Sequence, residues 1–320
     1  MAYALRDGGW RGFSFFGLFF ALTISSSVVI SHIMELDLTI RSYPDIGRVA
    51  FGIAGYRTVW IIVFLFTYAC CVENTVVARD TLINLLPQDM FKTDNREASG
   101  GQLLTMLMVI VMIAIILFRD WGIFDIMLTG FYANCFSSHS NLPDFYKQTK
   151  NRKEFILLLI YIFVPTAILY IGVGCLGYHL FGNTVEPLFV LSMPGHLGAS
   201  KAAKICTGIS SMAMQVDELV TNPQDDEQDN CTKSTLVRIA LVATTIAISM
   251  AVPFYGPFMA FMASILGVTV ALIIPYMCFL RIRYPDFTRR QVTSTVVVLL
   301  VAVTGAILGS IKSAPALAKG

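Results

Sequence analysis

The chain has 320 residues, 56% of them hydrophobic and only 14% charged, with a mean hydropathy of +0.69 and a formal net charge of +2. An average soluble domain carries about 25% charged residues, so one water-soluble globule is excluded, and a near-neutral chain without a basic stripe offers no footprint for nucleic acid. Long uncharged apolar runs alternate with short charged gaps, which is the layout of an all-α, polytopic membrane helix bundle in contact with lipid.

A crossing helix needs about 20 apolar residues. In chain order, that length criterion places spans at 13–34, 58–78, 103–118, 155–178, 239–253, 257–280 and 292–311, all within one transmembrane domain covering 1–320. The first run is too long for a signal peptide and has no small-residue cleavage site, so it is read as retained. The run 103–118 is slightly short but holds no charge. The apolar stretch from 239 to 280 is twice too long for one crossing, and Val252-Pro253-Phe254-Tyr255-Gly256-Pro257 at its centre reads as the turn of a helical hairpin. Three shorter apolar pieces, 2–10, 121–136 and 205–214, are partial helices that need protein around them, because hydrocarbon leaves no backbone group a water partner.

Lys and Arg counts decide whether 205–214 crosses. If it does, the side bearing Arg41, Lys147, Lys150, Arg152, Lys153, Arg281, Arg283, Arg289 and Arg290 holds 14 basic residues against 9, which makes that side cytosolic. The acidic stretch 217–229 is then a solvated loop.

Glu73 is the single carboxylate inside the span 58–78 and shares a helix face with Ala69, Cys70 and Asp80. Charges inside a membrane are costly and face a cavity, an ion path or a partner. Glu73 therefore reads either as a proton-coupling group or as a helix-packing hydrogen bond or ion pair. The stretch from Gly130 to Ser140 gathers small and polar residues, including Cys135, Phe136, Ser137, Ser138 and His139. A broken helix exposes backbone to a small zwitterion in this way, and a plain juxtamembrane loop has the same composition. His139 titrates in the physiological range as a residue type, whereas His32, His179 and His196 sit at span ends.

The seven cysteines form no CxxC pair and no zinc spacing, and most read as small buried hydrophobes. No GxSxG, HExxH, P-loop or Rossmann pattern occurs, so the chain does not read as an enzyme and no cofactor or metal is expected.

Ser42-Tyr43-Pro44-Asp45-Ile46-Gly47, Ala50-Phe51-Gly52 and Tyr68-Ala69-Cys70-Cys71-Val72-Glu73 together resemble the amino acid/auxin permease family, especially its vacuolar and vesicular inhibitory amino acid transporter branch. Tyr3-Ala4-Leu5 with Gly8-Gly9-Trp10 looks like the end of the family's first helix, and Ser138-His139-Ser140-Asn141-Leu142-Pro143, Gly177-Tyr178 with Phe181-Gly182, and Val252-Pro253-Phe254-Tyr255-Gly256 look like the second half of its sixth helix, the end of its seventh and its ninth-to-tenth turn. The resemblance implies an eleven-helix, leucine-transporter-like fold with two inverted repeats. It also implies amino acids as small-molecule substrates, moved by symport or antiport across the vacuolar or another endomembrane, with the plasma membrane as the alternative. The driving force would be a proton gradient, with sodium as the alternative coupling ion.

Three departures from the family pattern stand out. Met1 falls inside its first helix, only 121–130 stands where the fifth helix and the start of the sixth belong, and the eighth helix at 205–214 is shortened by half. These make the fold incomplete and raise a second expectation, a transport-incompetent truncated isoform that associates with a full-length relative. The resemblance carries substrate-facing roles onto helix six alone, at Cys135, Phe136, Ser137, Ser138 and His139, with Glu73 and His139 as proton-coupling candidates. Ser138 replaces a glycine common in relatives.

The charge-derived topology makes one direct prediction. Asn230-Cys231-Thr232 is a formal glycosylation acceptor on the cytosolic side, so expression in a glycosylating membrane should leave Asn230 unmodified, as read by a glycosidase mobility shift.

Overall fold

Helices account for the folding of this chain because its apolar runs are long enough to satisfy every backbone group internally in lipid. The computed structural model describes residues 12–37, 39–85, 138–149, 152–195, 198, 200–208, 211, 231–252, 255–283 and 288–318. Among them there is no strand, and five helices are long and apolar enough to cross a membrane. The expected pieces 2–10, 103–118 and 121–136, and part of 205–214, lie outside the described residues; 200–208 and Ser211 are helical.

Helix α1 spans Gly12–Leu36 and contains the run read as the first span. Helix α2, Tyr43–Leu85, is 43 residues long. A straight helix of that length would measure about 65 Å, twice the hydrocarbon thickness of about 30 Å. It does not run straight. Gly52 adopts φ 68° and ψ −155°, a backbone region that side chains disfavour, and the helix folds there. A methyl group on Gly47 would stand 2.7 Å from the Gly55 carbonyl oxygen and from Val59 Cγ2, so the two arms meet on bare backbone.

The Tyr43-Pro44-Asp45 motif forms the first turn of α2. Asp45 reaches back so that Ser42 N and Ser42 Oγ both donate to its Oδ2 at 2.9 Å, while Arg48 lies 3.0 Å from Oδ1. This Asp45 side of a capping box, with proline in the first turn where its missing N–H costs nothing, fixes the helix start. In the linker before it, the amide and hydroxyl of Thr39 donate to Asp37 Oδ1 at 2.8 and 2.6 Å. Those bonds, hydroxyl first, hold the Asp37 carboxyl below the usual range.

After a short turn at Ser138–Asn141, α3 covers Leu142–Gln148 and α4 covers Arg152–Phe181. Helix α5 is Cys231–Ala251, α6 runs through Tyr255–Arg283 and α7 through Arg289–Ala318. Helix α6 contains two π-helical turns, Ala263–Gly267 and Thr269–Ile273.

The described residues form two compact units. The first gathers those within 1–66, 132–182 and 259–319, and the second those within 67–131 and 183–258. In the first, Leu272, Tyr276 and Ala302 form a buried cluster packed by Leu22, Val29 and Leu299. Wide π turns loosen the regular carbonyl pairing, and neighbouring hydroxyls take up the slack. Tyr43 Oη donates to Val270 O and Ser26 Oγ to Ala271 O, while Ser25 Oγ and Tyr276 Oη lie 2.7 Å apart. At the other end of α6, Arg283 Nη1 donates to His32 Nε2 at 2.6 Å, tying the ends of α1 and α6 together.

Among the described residues, buried hydroxyls sit alongside a buried apolar core, and many large apolar side chains lie on the outside. Ser26, Ser27, Ser31, Thr75, Thr81, Thr245 and Ser249 are buried, whereas Leu157, Ile168, Leu169, Leu176, Leu180 and Leu308 are exposed. Apart from Ser26, these buried hydroxyls return their protons to carbonyls three or four residues back, as Ser27 does to Thr23 O and Thr81 to Val77 O. That arrangement suits a solvent of lipid chains.

Gly52→Ala should lower stability by about 1–3 kcal/mol, because alanine cannot relax at that φ, and Asp45→Ala by about 1 kcal/mol through loss of the cap. Thermal melts of detergent-solubilised protein would check both; a Gly52→Ala melt equal to wild type would mean that α2 does not need the fold at Gly52.

Candidate functional site

The sequence pointed to two places, the helix-six segment and Glu73, and each lies in a different unit. Cys135, Phe136 and Ser137 are outside the described residues. Ser138 opens the short turn Ser138–Asn141, and His139 follows in it. His139 is 1% exposed. Its Nε2 stands 3.4 Å from both Ser27 Oγ and the Thr23 carbonyl oxygen of α1. Leu142 and Pro143, the next residues of the motif, are also buried. His139 is thus packed against the serine-rich face of α1, where its ring is oriented by two oxygens of one helix.

Glu73 lies on α2 and is partly buried. Tyr255, the first residue of α6, donates its phenol hydroxyl to Glu73 Oε1 at 3.2 Å. Among the described residues no basic side chain pairs with Glu73. Of the two readings of Glu73 that treat it as a packing group, the described residues include the hydrogen bond.

Two turns along α2, a second polar pair lies in the same unit. Arg79 Nε donates to Asp80 Oδ1 at 2.9 Å, and their side chains are 13% and 25% exposed. The Arg79 guanidinium also donates to Ser249 O and, at 3.5 Å, to Val252 O. Those carbonyls belong to the end of α5, where the last turn has no intrahelical donors and carries partial negative charge. The sequence assigns Arg79 no role, because nothing in a linear string shows which helix end an arginine meets.

Serine and tyrosine groups behave similarly. The run Ser25-Ser26-Ser27 is an unremarkable stretch of α1 in sequence, yet its three hydroxyls meet Tyr276, the Ala271 carbonyl and His139.

Comparison with known proteins follows from this architecture. A family model described as "Transmembrane amino acid transporter protein" matches residues 118–314. The chain belongs to that family. It is similar to Amino acid transporter AVT1C of Arabidopsis thaliana, 28% identical across 99% of this chain and 66% of the relative. Amino acid transporter AVT1D of the same plant is 26% identical over 97% of this chain and 65% of its own length, and AVT1I is 24% identical over 88% and 81%. The chain therefore spans about two thirds of the length of the first of these relatives. No solved structure matches it. The match to this family includes the helix-six turn and α4 to α7, while Glu73 lies ahead of residue 118 and inside the region shared with AVT1C.

His139→Ala should lower stability by about 2–4 kcal/mol, from the emptied volume and the lost contacts to α1. A melt unchanged from wild type would show that the Ser27 and Thr23 contacts hold nothing together.

Proposed function

We propose that this chain carries amino acids across a membrane by secondary transport coupled to a proton gradient, in the vacuolar or another endomembrane. The observation that carries the reading is family membership over 118–314, joined to the single carboxylate of the apolar run 58–78, Glu73, with a tyrosine as its partner. Sodium is the alternative coupling ion. The substrate contacts would come from the backbone around Cys135, Phe136, Ser137 and Ser138 and from His139. Unwound peptide groups can replace the hydration shell of a zwitterion there, and the second repeat rocks against the first around that site.

Of the two coupling candidates, Glu73 has the stronger support. The charge count puts the end of α2 and the α5–α6 junction on the side opposite the basic loops, the lumenal side of an acidic organelle. A proton arriving from that lumen meets Glu73 and neutralises the single carboxylate within the apolar run 58–78 of α2. His139 is closed in by α1 and depends on movement of that helix to exchange a proton.

Uptake of radiolabelled amino acids into proteoliposomes holding the purified chain should require an imposed acid gradient and vanish when it is dissipated. Glu73→Gln should abolish the gradient-dependent part while leaving the melting temperature unchanged. Uptake that ignores the gradient would sink proton coupling, and uptake that survives in Glu73→Gln would remove Glu73 from the mechanism.

One observation favours a second reading. The alignment to AVT1C runs over 369 positions, longer than the chain itself, so that relative holds residues with no counterpart inside the matched stretch. Missing helix there would suit a transport-incompetent form that associates with a full-length relative. Co-purification with such a relative supports this reading, and a stable monomer that binds amino acids overturns it.

A further inference from the structure

The polar groups in the second unit converge on the two helix ends that flank the α5–α6 junction. Along α2, Arg79 grips the last carbonyls of α5, while Glu73, six residues earlier, meets the first residue of α6. The arginine end is electrostatically closed, because its charge faces Asp80 and the negative end of a helix dipole. The Glu73 end differs: its partner is a neutral donor.

That difference has a chemical consequence. A carboxylate accepts from a phenol in a charge-assisted bond, which is shorter and about twice as strong as a neutral one. A protonated carboxyl makes only the neutral version. The hold of α2 on the start of α6 therefore depends on whether Glu73 carries its proton, whereas the hold of Arg79 on the end of α5 does not. Resting on the proposed coupling role of Glu73, we propose that Tyr255 is a positioning residue for the Glu73 carboxylate, through which protonation of α2 is transmitted to the first turn of α6.

Among the described residues, the charged and titratable groups near Glu73 are Tyr255 on α6, Cys70 one turn before it on α2, and Arg79 and Asp80 about two turns beyond it. On α5 the polar groups turned to α2 are the Ser249 and Val252 carbonyls, which Arg79 takes. Tyr255 therefore stands alone among these as a donor to Glu73, and phenylalanine removes that donor while keeping the ring.

The test uses two independent readouts on the full chain. The first is the infrared carboxyl stretch of Glu73 in purified protein, followed against pH, with Glu73→Gln as the blank. Tyr255→Phe should move the band to the frequency of a carboxyl with weaker hydrogen bonding and shift its pH midpoint by about one unit to more alkaline values, since the phenol favours the ionised form. The second readout is gradient-driven uptake, whose alkaline limit should move the same way in Tyr255→Phe. Asp80→Asn, which leaves the phenol in place, should move neither. A Glu73 band and midpoint identical in wild type and Tyr255→Phe would overturn the positioning role. Wild-type protein that shows the band shift but no gradient-driven uptake would instead overturn the transport reading and leave the Glu73–Tyr255 coupling standing.

Discussion

A bilayer provides no water to hydrogen-bond a polar group, and the structure depends on that constraint at every level. It selects helices, because only they satisfy their own backbone. It sends many serine and threonine hydroxyls inward to carbonyls three and four residues back, and lets leucines and isoleucines such as Leu157, Ile168 and Leu180 stand on the outside. It also explains why the exceptions to regular helix are found beside donors. The π turns of α6 widen around residues 263–273, and Tyr43 and Ser26 donate to carbonyls within that stretch. The end of α5 is met by a guanidinium.

The same constraint gives the few ionisable groups on the apolar helices their meaning. Arg79 is compensated twice, by Asp80 and by a helix end, and such a cluster fixes one geometry more than it adds stability. Glu73 is compensated once, by a neutral hydroxyl. A carboxylate held by a neutral donor can gain or lose a proton without leaving an opposite charge stranded, which is what a coupling group needs and a structural ion pair lacks. The two polar contacts on this helix thus differ in kind, one a charged pair set against a helix end and the other a carboxyl held by a neutral phenol.

Glycine supplies the remaining freedom. Helix α2 is too long for one crossing, and Gly52 lets it fold where the arms meet at Gly47 and Gly55. The Ser42-Tyr43-Pro44-Asp45-Ile46-Gly47 motif, which carried much of the family resemblance, thus has a physical content of its own. Serine and aspartate cap a helix, proline suits its first turn, tyrosine reaches a π-turn carbonyl, and the last glycine permits close approach.

Apolar run length by itself determined that the chain is all-α and membrane-embedded, since helix in lipid follows from composition without reference to neighbours. Family membership was legible too, because its motifs are local strings. Glu73 stood out because a single carboxylate in an uncharged run is visible in one dimension. Tyr255, Arg79 and the serines of α1 were not legible as partners, because hydrogen bonding between residues more than a hundred positions apart has no periodic signature. The fold of α2 at Gly52 was equally hidden, for a lone glycine in a helical pattern signals tolerance as readily as a bend. Only the tertiary structure decided that His139 faces Thr23 and Ser27 and that Glu73 meets a phenol. Those pairings depend on which helix faces pack together, and packing, unlike hydropathy, is a property of the whole chain.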